Sequence, residues 1–248
     1  MAFDIREYRK VYMPAYRAAH PEVFREFDKR RYGRAKDQVW KLLGSACSEC
    51  GESEVEFLTI DHVNGDGAEE RSRKSRRQIF QDIAKGRVDL SRYRVLCRNC
   101  NSGKSNLEAK AALSESIHSF SGPLCRVCGN PKLVRTSSHP VYGFRKRSEC
   151  RYCLRSAAAG TRLQALLLFG GKCSCCPQRD PSKLTFDHVR NDGATERRKD
   201  HCGTVLFYRK LLKGDLDSGL YQLLCWNCNF SKHLGAGLCI HQRNKHGV

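Results

Sequence analysis

The sequence predicts an α+β fold: two tandem, zinc-stabilised ββα modules, joined by a small four-cysteine zinc ribbon and preceded by a basic helical segment. Two repeated segments carry this prediction. A strand-like segment ending in Asp-His-Val occurs at residues 58–63 and again at residues 184–189. A Leu-Cys-x-Asn-Cys-Asn segment follows each of them, at residues 96–101 and 224–229. Because both segments recur in the same order, we interpret the two halves as a duplication.

The similarity between the halves extends beyond these segments. From Cys47 and Cys173 onward the two copies align without a gap for 25 residues, of which 13 are identical. We therefore predict four parts. They are a basic helical arm at residues 1–44, a first module at 45–116, a four-cysteine zinc finger with a connecting helix at 117–171, and a second module at 172–248.

The first 44 residues combine basic and aromatic side chains at helical spacing. Tyr8, Tyr12 and Tyr16 are four residues apart, which is typical of one helix face. Pro14 and Pro21 should break the helix, so we expect short helices and then a longer one that ends before Gly44. The tyrosine stripe indicates packing more than base stacking, while the Arg and Lys side chains could contact phosphates.

Local patterns predict the elements of each module. In the first copy they indicate a strand over residues 56–63, a helix around 76–85, a returning strand over 93–97 and a helix over 99–116. The second copy should repeat this order. A helix over residues 154–169, followed by two glycines, should precede it.

The charge balance favours a polyanionic partner. Lys and Arg number 45 against 26 Asp and Glu, which gives a formal net charge of +19. Such an excess, spread along the chain, suits nucleic acid, although a generic basic protein is the alternative. The sequence has no apolar run of about 20 residues and no secretory signal, so we expect a cytoplasmic protein that is neither secreted nor bound to a membrane.

The cysteines predict metal binding. The chain has 15 of them, and 12 form six Cys-x-x-Cys pairs. This spacing lets two thiolates bind one tetrahedral zinc ion and is unusual for disulfides in a chain without an export signal. Combined two by two, the pairs predict three structural zinc sites: Cys47, Cys50, Cys97 and Cys100; Cys125, Cys128, Cys150 and Cys153; Cys173, Cys176, Cys225 and Cys228.

Three cysteines remain outside these pairs: Cys175, Cys202 and Cys239. Cys175 could compete with Cys176 as a zinc ligand, although the alignment of the repeats favours Cys176. Cys239 and His241 could form part of a further metal site.

Each module also predicts a hard-metal site. Once zinc fixes strand against helix, Asp61 and Asn101 can approach one point, and carboxylate and amide oxygens suit Mg²⁺ or Mn²⁺. His62, next to Asp61, could act as the general base on a water molecule. An isolated Asp-His is usually only a polar pair at a strand end, but here it recurs beside four zinc cysteines. The second copy supplies the same set: Asp187, His188 and Asn229.

These residues resemble the motif of HNH, or His-Me finger, endonucleases of the ββα-metal fold, most closely the four-cysteine branch that contains phage endonuclease VII. The resemblance covers residues 45–110 and 172–241. The second copy, through to His241, is similar to a common type of phage-encoded HNH protein. Many members have a middle Asn, about five residues before the third zinc cysteine, that braces the loop bearing the His; Arg92 and Leu220 stand there in this chain.

The resemblance implies a role for each residue. Asp61 and Asn101 would bind the catalytic divalent ion, one per module, and His62 would activate water. Asp187, Asn229 and His188 would do the same in the second module. The products would carry 5′-phosphate and 3′-hydroxyl ends.

We therefore expect a divalent-metal-dependent DNA endonuclease, homing-type or phage-encoded, that acts as a monomeric pseudo-dimer and cuts both strands of duplex DNA. A nuclease for branched DNA is one alternative. A non-catalytic zinc-finger protein that binds nucleic acid is another, but it predicts decay of the Asp-His-Asn set in one copy, and neither copy has decayed. The predicted DNA contacts are Lys104, Lys232, Arg145, Lys146 and Arg147, with a solvated surface position as the alternative for the two lysines that follow the asparagines.

Overall fold

The computed structural model describes residues 5–104, 124–128, 133–139, 143–193 and 203–247. It is a mixed α+β structure of helices and short two-stranded sheets, which confirms the predicted class. The chain forms two compact units, residues 1–96 and 97–248. The finer division into four parts stays a prediction. Among the described helices, none combines the length and the apolar character needed to cross a membrane.

The first unit is built from helices and one two-stranded sheet. Its elements are α1 Ile5–Ala19, α2 Pro21–Leu43, β1 Leu58–His62, α3 Gly67–Arg73, α4 Arg76–Ala84 and β2 Tyr93–Cys97, with a 3-10 turn at Leu90–Arg92. β1 pairs with β2. The predicted strands and the predicted helix around residues 76–85 are therefore present, with bounds within two residues of expectation.

α1 continues through Pro14, so the prediction that this proline breaks the helix is wrong. Pro14 has no backbone N–H, so α1 lacks one intrahelical hydrogen bond at this position. The rings of Tyr12 and Tyr16 stack across it at 5.7 Å between centroids. The second predicted break is correct, since α2 begins at Pro21, where a proline in the first turn has no amide hydrogen bond to lose.

The core of the first unit lies between α2 and α4 and under β1 and β2. The Trp40 ring meets Phe80 edge-on at 5.8 Å, and both side chains are buried. Leu58 and Leu96 are buried on the two strands. This packing fixes the position of β1, whose last two residues are Asp61 and His62.

The second unit contains the remaining elements. Residues 98–104 are helical. They are followed by β3 Leu133–His139, β4 Gly143–Glu149, α5 Arg151–Leu168, β5 Leu184–His188, α6 Thr204–Lys213, β6 Tyr221–Cys225, α7 Trp226–Leu234 and α8 Ile240–His246, with 3-10 turns at Pro181–Lys183 and Ser218–Leu220. The predicted helix over residues 99–116 lies outside the described residues beyond Lys104.

Two antiparallel pairs organise this unit. β5 pairs with β6 in a register that sets Asp187 opposite Gln222 and His188 opposite Tyr221. β3 pairs with β4, which carries the basic run at residues 145–147. The core combines apolar and cysteine side chains: Leu166, Cys173, Leu184, Leu223, Leu224, Cys225, Cys228 and Cys239.

Candidate metal centres and active sites

The structure brings together each of the three predicted sets of four cysteines. In every set the thiol sulfurs lie within 4.8 Å of one another. Zn–S bonds of about 2.3 Å in a tetrahedron require sulfurs about 3.8 Å apart. The measured separations fit, with Cys125 and Cys153 at 3.7 Å and Cys176 and Cys225 at 3.7 Å. The residues present therefore suit structural zinc ions.

The second pair of each set is held by backbone amides at a helix start. Cys97 and Cys225 end strands, and their sulfurs accept hydrogen bonds from the amides of Cys100, at 3.5 Å, and Cys228, at 3.4 Å. In the ribbon, backbone hydrogen bonds from Cys128 and Val127 lower the pKa of Cys125 to about 6. The thiolate of Cys125, which is the form that binds zinc, is thus favoured near neutral pH.

His62 forms a buried hydrogen-bonded chain with Glu70 and Tyr93. Its Nε2 lies 2.7 Å from Glu70 Oε2, and the Tyr93 hydroxyl donates to both carboxylate oxygens at 3.0 and 2.9 Å. The His62 side chain is 6% exposed and that of Glu70 is 10% exposed. Glu70 comes from α3 and Tyr93 from β2, so the chain joins three elements of the first unit.

The protonation of this chain follows from its contacts. Burial opposes ionisation of Glu70, but the hydrogen bonds from His62 and Tyr93 outweigh it and lower the pKa of the carboxyl. Burial and the bond to Glu70 raise the pKa of Tyr93 to about 12. An ionised Glu70 can accept a hydrogen bond from Nε2, and in that tautomer Nδ1 of His62 carries the free lone pair.

A glycine lies against that nitrogen in both repeats. A methyl group at Gly67 would collide with Nδ1 of His62, and one at Gly193 would collide with Nδ1 of His188. Both glycines are buried. The loop backbone therefore passes close to the imidazole edge in each copy, and glycine is required for this approach.

The predicted metal-binding aspartates are each paired with a basic side chain. Asp61 Oδ2 accepts from Arg94 Nε at 2.9 Å. Asp187 Oδ2 accepts from Lys232 Nζ at 2.6 Å and from Gln222 Nε2 at 2.9 Å. Carboxylate and amide oxygens suit Mg²⁺ or Mn²⁺, but an ion bound at either aspartate must compete with its basic partner.

Lys232 does not lie where a DNA-contacting side chain was expected. It is 5% exposed and also donates to the carbonyl oxygens of His188 and Val189, at 2.8 and 3.2 Å. It therefore fastens α7 to the end of β5. Lys104 is half-buried in the helical residues 98–104. The side chains of Arg145, Lys146 and Arg147 lie outside the described residues, and their DNA contacts stay predictions.

Arg92 braces the loop that follows His62. Its Nη2 donates to Asp66 Oδ2 at 2.6 Å, and this hydrogen bond lowers the pKa of Asp66. Its carbonyl accepts from the amide of Val63 at 2.9 Å. Leu220, at the equivalent position, accepts the corresponding bond from Val189 at 3.0 Å through its carbonyl alone. A side-chain brace thus stands in the first copy where many HNH proteins have their Asn.

The predicted asparagines follow the last zinc cysteines. Asn229 lies in α7 directly after the buried Cys228, and α7 packs against β5, which carries Asp187. Asn101 holds the same place among the helical residues 98–104. Both side chains are half-buried.

No protein-family model, curated protein or solved structure matches this chain. The site is therefore interpreted from its own residues. Sequence reasoning missed Glu70, Tyr93 and Gly67. A signal was available, because all three recur in the second copy, as Glu196, Tyr221 and Gly193. Of these, Tyr221 meets the His188 ring edge-on with ring centroids 4.9 Å apart, and Glu196 lies outside the described residues.

Proposed function

We propose that this chain is a divalent-metal-dependent DNA endonuclease of the HNH, or His-Me finger, type, homing-type or phage-encoded, with one active centre in each repeat. The observation that carries the proposal is the buried hydrogen bond of 2.7 Å between His62 and Glu70, directly beside Asp61. A histidine oriented in this way can act as a general base on a water molecule. Zinc binding alone does not require such a pair.

In the proposed reaction, Nδ1 of His62 takes a proton from water while the water oxygen bonds to the phosphorus of a DNA phosphodiester. The bond from phosphorus to O3′ breaks, and the departing oxygen takes a proton from solvent water to become a 3′-hydroxyl, leaving a 5′-phosphate. Glu70 stabilises the imidazolium that forms and keeps the ring oriented. A divalent ion held by Asp61 and Asn101 would supply charge stabilisation at the phosphate.

The second repeat would act in the same way. His188 would take the proton, and Asp187 and Asn229 would hold the ion. Gly193 lies against His188 as Gly67 lies against His62, so the loop backbone approaches both imidazoles in the same way. One chain would thus carry two centres for the two strands of a duplex.

Duplex DNA is the proposed partner because of charge. The formal net charge of +19 implies many phosphate contacts and a binding constant that falls steeply with salt. With Lys232 buried, the phosphate contacts would come from the other basic side chains.

A non-catalytic zinc-finger protein that binds nucleic acid is the second candidate. The observation in its favour is that Asp61 and Asp187 are both paired with basic groups, Arg94 and Lys232. A scaffold that only binds nucleic acid would keep such pairs to hold its strands. It would not need the hydrogen-bonded chain from Tyr93 through Glu70 to His62.

The test is cleavage by the purified full chain with Mg²⁺ or Mn²⁺, on supercoiled plasmid, linear duplex and a four-way junction. A nuclease should cut, and chelation of the divalent ion with EDTA should stop it. The Asp61→Ala/Asp187→Ala double variant should bind DNA without cutting. Glu69→Ala/Asp215→Ala is the matched control, because both side chains are exposed acids outside the sites.

Each substrate separates one candidate from the others. Preferred cutting of the junction identifies a nuclease for branched DNA. Binding of all three substrates without cutting in either metal identifies the zinc-finger protein and overturns the proposal.

A further inference from the structure

A fourth cluster of metal-binding side chains lies beside the zinc cysteines of the second repeat. It consists of Cys175, Cys228, Cys239 and His241, whose ligand atoms lie within 4.8 Å of one another. Cys228 also belongs to the four-cysteine set completed by Cys173, Cys176 and Cys225. The two clusters therefore share one sulfur.

The separations within the fourth cluster are those of a metal site. Zinc bonds of about 2.3 Å to sulfur and 2.0–2.1 Å to nitrogen place tetrahedral ligands about 3.6–3.8 Å apart. His241 Nδ1 lies 3.5 Å from Cys228 Sγ, 3.5 Å from Cys239 Sγ and 3.8 Å from Cys175 Sγ. The two remaining sulfurs, of Cys175 and Cys239, are 3.3 Å apart, too far for a disulfide.

We propose that the second repeat holds a binuclear zinc centre in which the Cys228 thiolate bridges two ions. The first ion takes Cys173, Cys176, Cys225 and Cys228. The second takes Cys175, Cys228, Cys239 and the neutral imidazole of His241. The chain would then bind four zinc ions instead of the three that its Cys-x-x-Cys pairs predict.

The loop after α7 is shaped to bring the last two ligands back to Cys228. A methyl group at Gly235 would collide with the carbonyl oxygen of Leu238, so the turn closes only with glycine there. Oγ of the fully buried Ser231 accepts a hydrogen bond from the backbone amide of Ile240 at 2.9 Å. This contact fixes the start of α8, where Cys239 and His241 lie.

The charge of the centre favours the second ion. Binding of one Zn²⁺ by Cys175 and Cys239 releases the two thiol protons, so the net charge of the buried cluster does not change. His241 adds a ligand without charge. Six thiolates and two zinc ions carry the same net charge of minus two as four thiolates and one ion.

No second cluster of this kind is found among the described residues of the first repeat. Glu49 occupies the position that corresponds to Cys175, between the two cysteines of the first pair. Its carboxylate instead lies 3.6 Å from Arg94. The binuclear centre is therefore a property of the second repeat.

The test is the zinc content of the full chain, purified under reducing conditions without added chelator. Four zinc ions per chain are expected. Cys175→Ser, Cys239→Ser and His241→Ala should each hold three. The matched control His233→Ala, at an exposed histidine on α7, should keep four.

A spectroscopic measurement on the unmodified chain keeps the test independent of how the variants fold. Replacement of zinc by ¹¹³Cd should give two resonances coupled to each other through the shared Cys228 sulfur. A content of three zinc ions, absence of ¹¹³Cd coupling, or a disulfide between Cys175 and Cys239 in the metal-loaded chain would each overturn the binuclear centre.

Discussion

Asn99 and Asn227 hydrogen-bond each other reciprocally within the second unit. The backbone amide of Asn99 donates to the side-chain Oδ1 of Asn227 at 2.9 Å, and the backbone amide of Asn227 donates to the side-chain Oδ1 of Asn99 at 3.1 Å. Each residue stands between the third and fourth zinc cysteines of its repeat, and both are buried, at 7% and 4% exposure. The two equivalent helix starts are therefore joined by a symmetric contact, as expected if one chain imitates a dimer.

Removal of one side of this contact should destabilise the second unit. Asn227→Ala leaves the buried amide of Asn99 without its acceptor, which should lower the free energy of unfolding by about 1–3 kcal/mol. Asn227→Asp keeps an acceptor oxygen and should lower the free energy of unfolding by less. Asn244→Ala, an exposed change on α8, is the control. Equal losses for Asn227→Ala and Asn227→Asp in denaturant unfolding would show that the hydrogen bond does not stabilise the contact.

Tyr93 should make the stability of the first unit depend on alkaline pH. Its pKa is raised to about 12 in the folded chain, against about 10 when unfolded. The contribution of this hydrogen-bonded Tyr93 to the free energy of unfolding is therefore fully present below about pH 10. It is lost as the pH rises through the pKa of Tyr93 in the folded chain. The bond to Glu70 is charge-assisted, so Tyr93→Phe should cost about 1.5–3 kcal/mol near neutral pH.

The measurement is denaturant unfolding of wild type and Tyr93→Phe from neutral pH to above pH 10. The difference between them should be constant at first and shrink at the alkaline end. Tyr12→Phe, on an exposed tyrosine of α1, should change stability by less than about 0.5 kcal/mol. A difference that grows with pH would contradict the assigned direction of the pKa shift.

The basic group beside each aspartate should weaken the affinity of that aspartate for a divalent ion. Arg94 contacts Asp61. Lys232 contacts Asp187, where the neutral Gln222 holds the position that corresponds to Arg94. A cation next to the carboxylate repels a divalent ion, so Arg94→Gln should tighten Mn²⁺ binding at the first site on the order of tenfold. The titration uses an Asp187→Ala background so that only this site is observed. Gln222→Arg in an Asp61→Ala background is the reverse control and should weaken binding; unchanged affinity in both would show that the aspartates do not hold the ion.

Much of the fold was predictable because zinc ligands and strand ends leave local patterns. The three cysteine sets follow from spacing alone, and β2 was predicted at its observed bounds. The register that places His188 opposite Tyr221 was not predictable, because it depends on pairing across a long insertion. The continuation of α1 through Pro14 departs from the local rule that proline interrupts a helix.

The candidate site was predicted only in part. Asp61 and His62 stand out because they recur beside cysteines, but Glu70 looks like one more acid in a charged helix. Its partnership with His62 appears only when α3 folds back onto the end of β1. The predicted exposure of Lys232 was wrong for a similar reason. A lysine in a polar sequence is normally exposed. Here the packing of α7 on β5 buries the side chain against Asp187.

The measurement that tests the central claim most directly is strand-specific cleavage of an end-labelled duplex by single histidine variants, with Mg²⁺. His62→Ala removes one general base, which typically costs about 10²–10⁴ in rate, and should leave the other centre active, so that one strand is cut. His188→Ala should cut the opposite strand, and the double variant should bind without cutting. His233→Ala, at an exposed position, should cut both strands as wild type does. If either single variant loses both cuts, or still makes both at the normal rate, the chain does not contain two independent active centres.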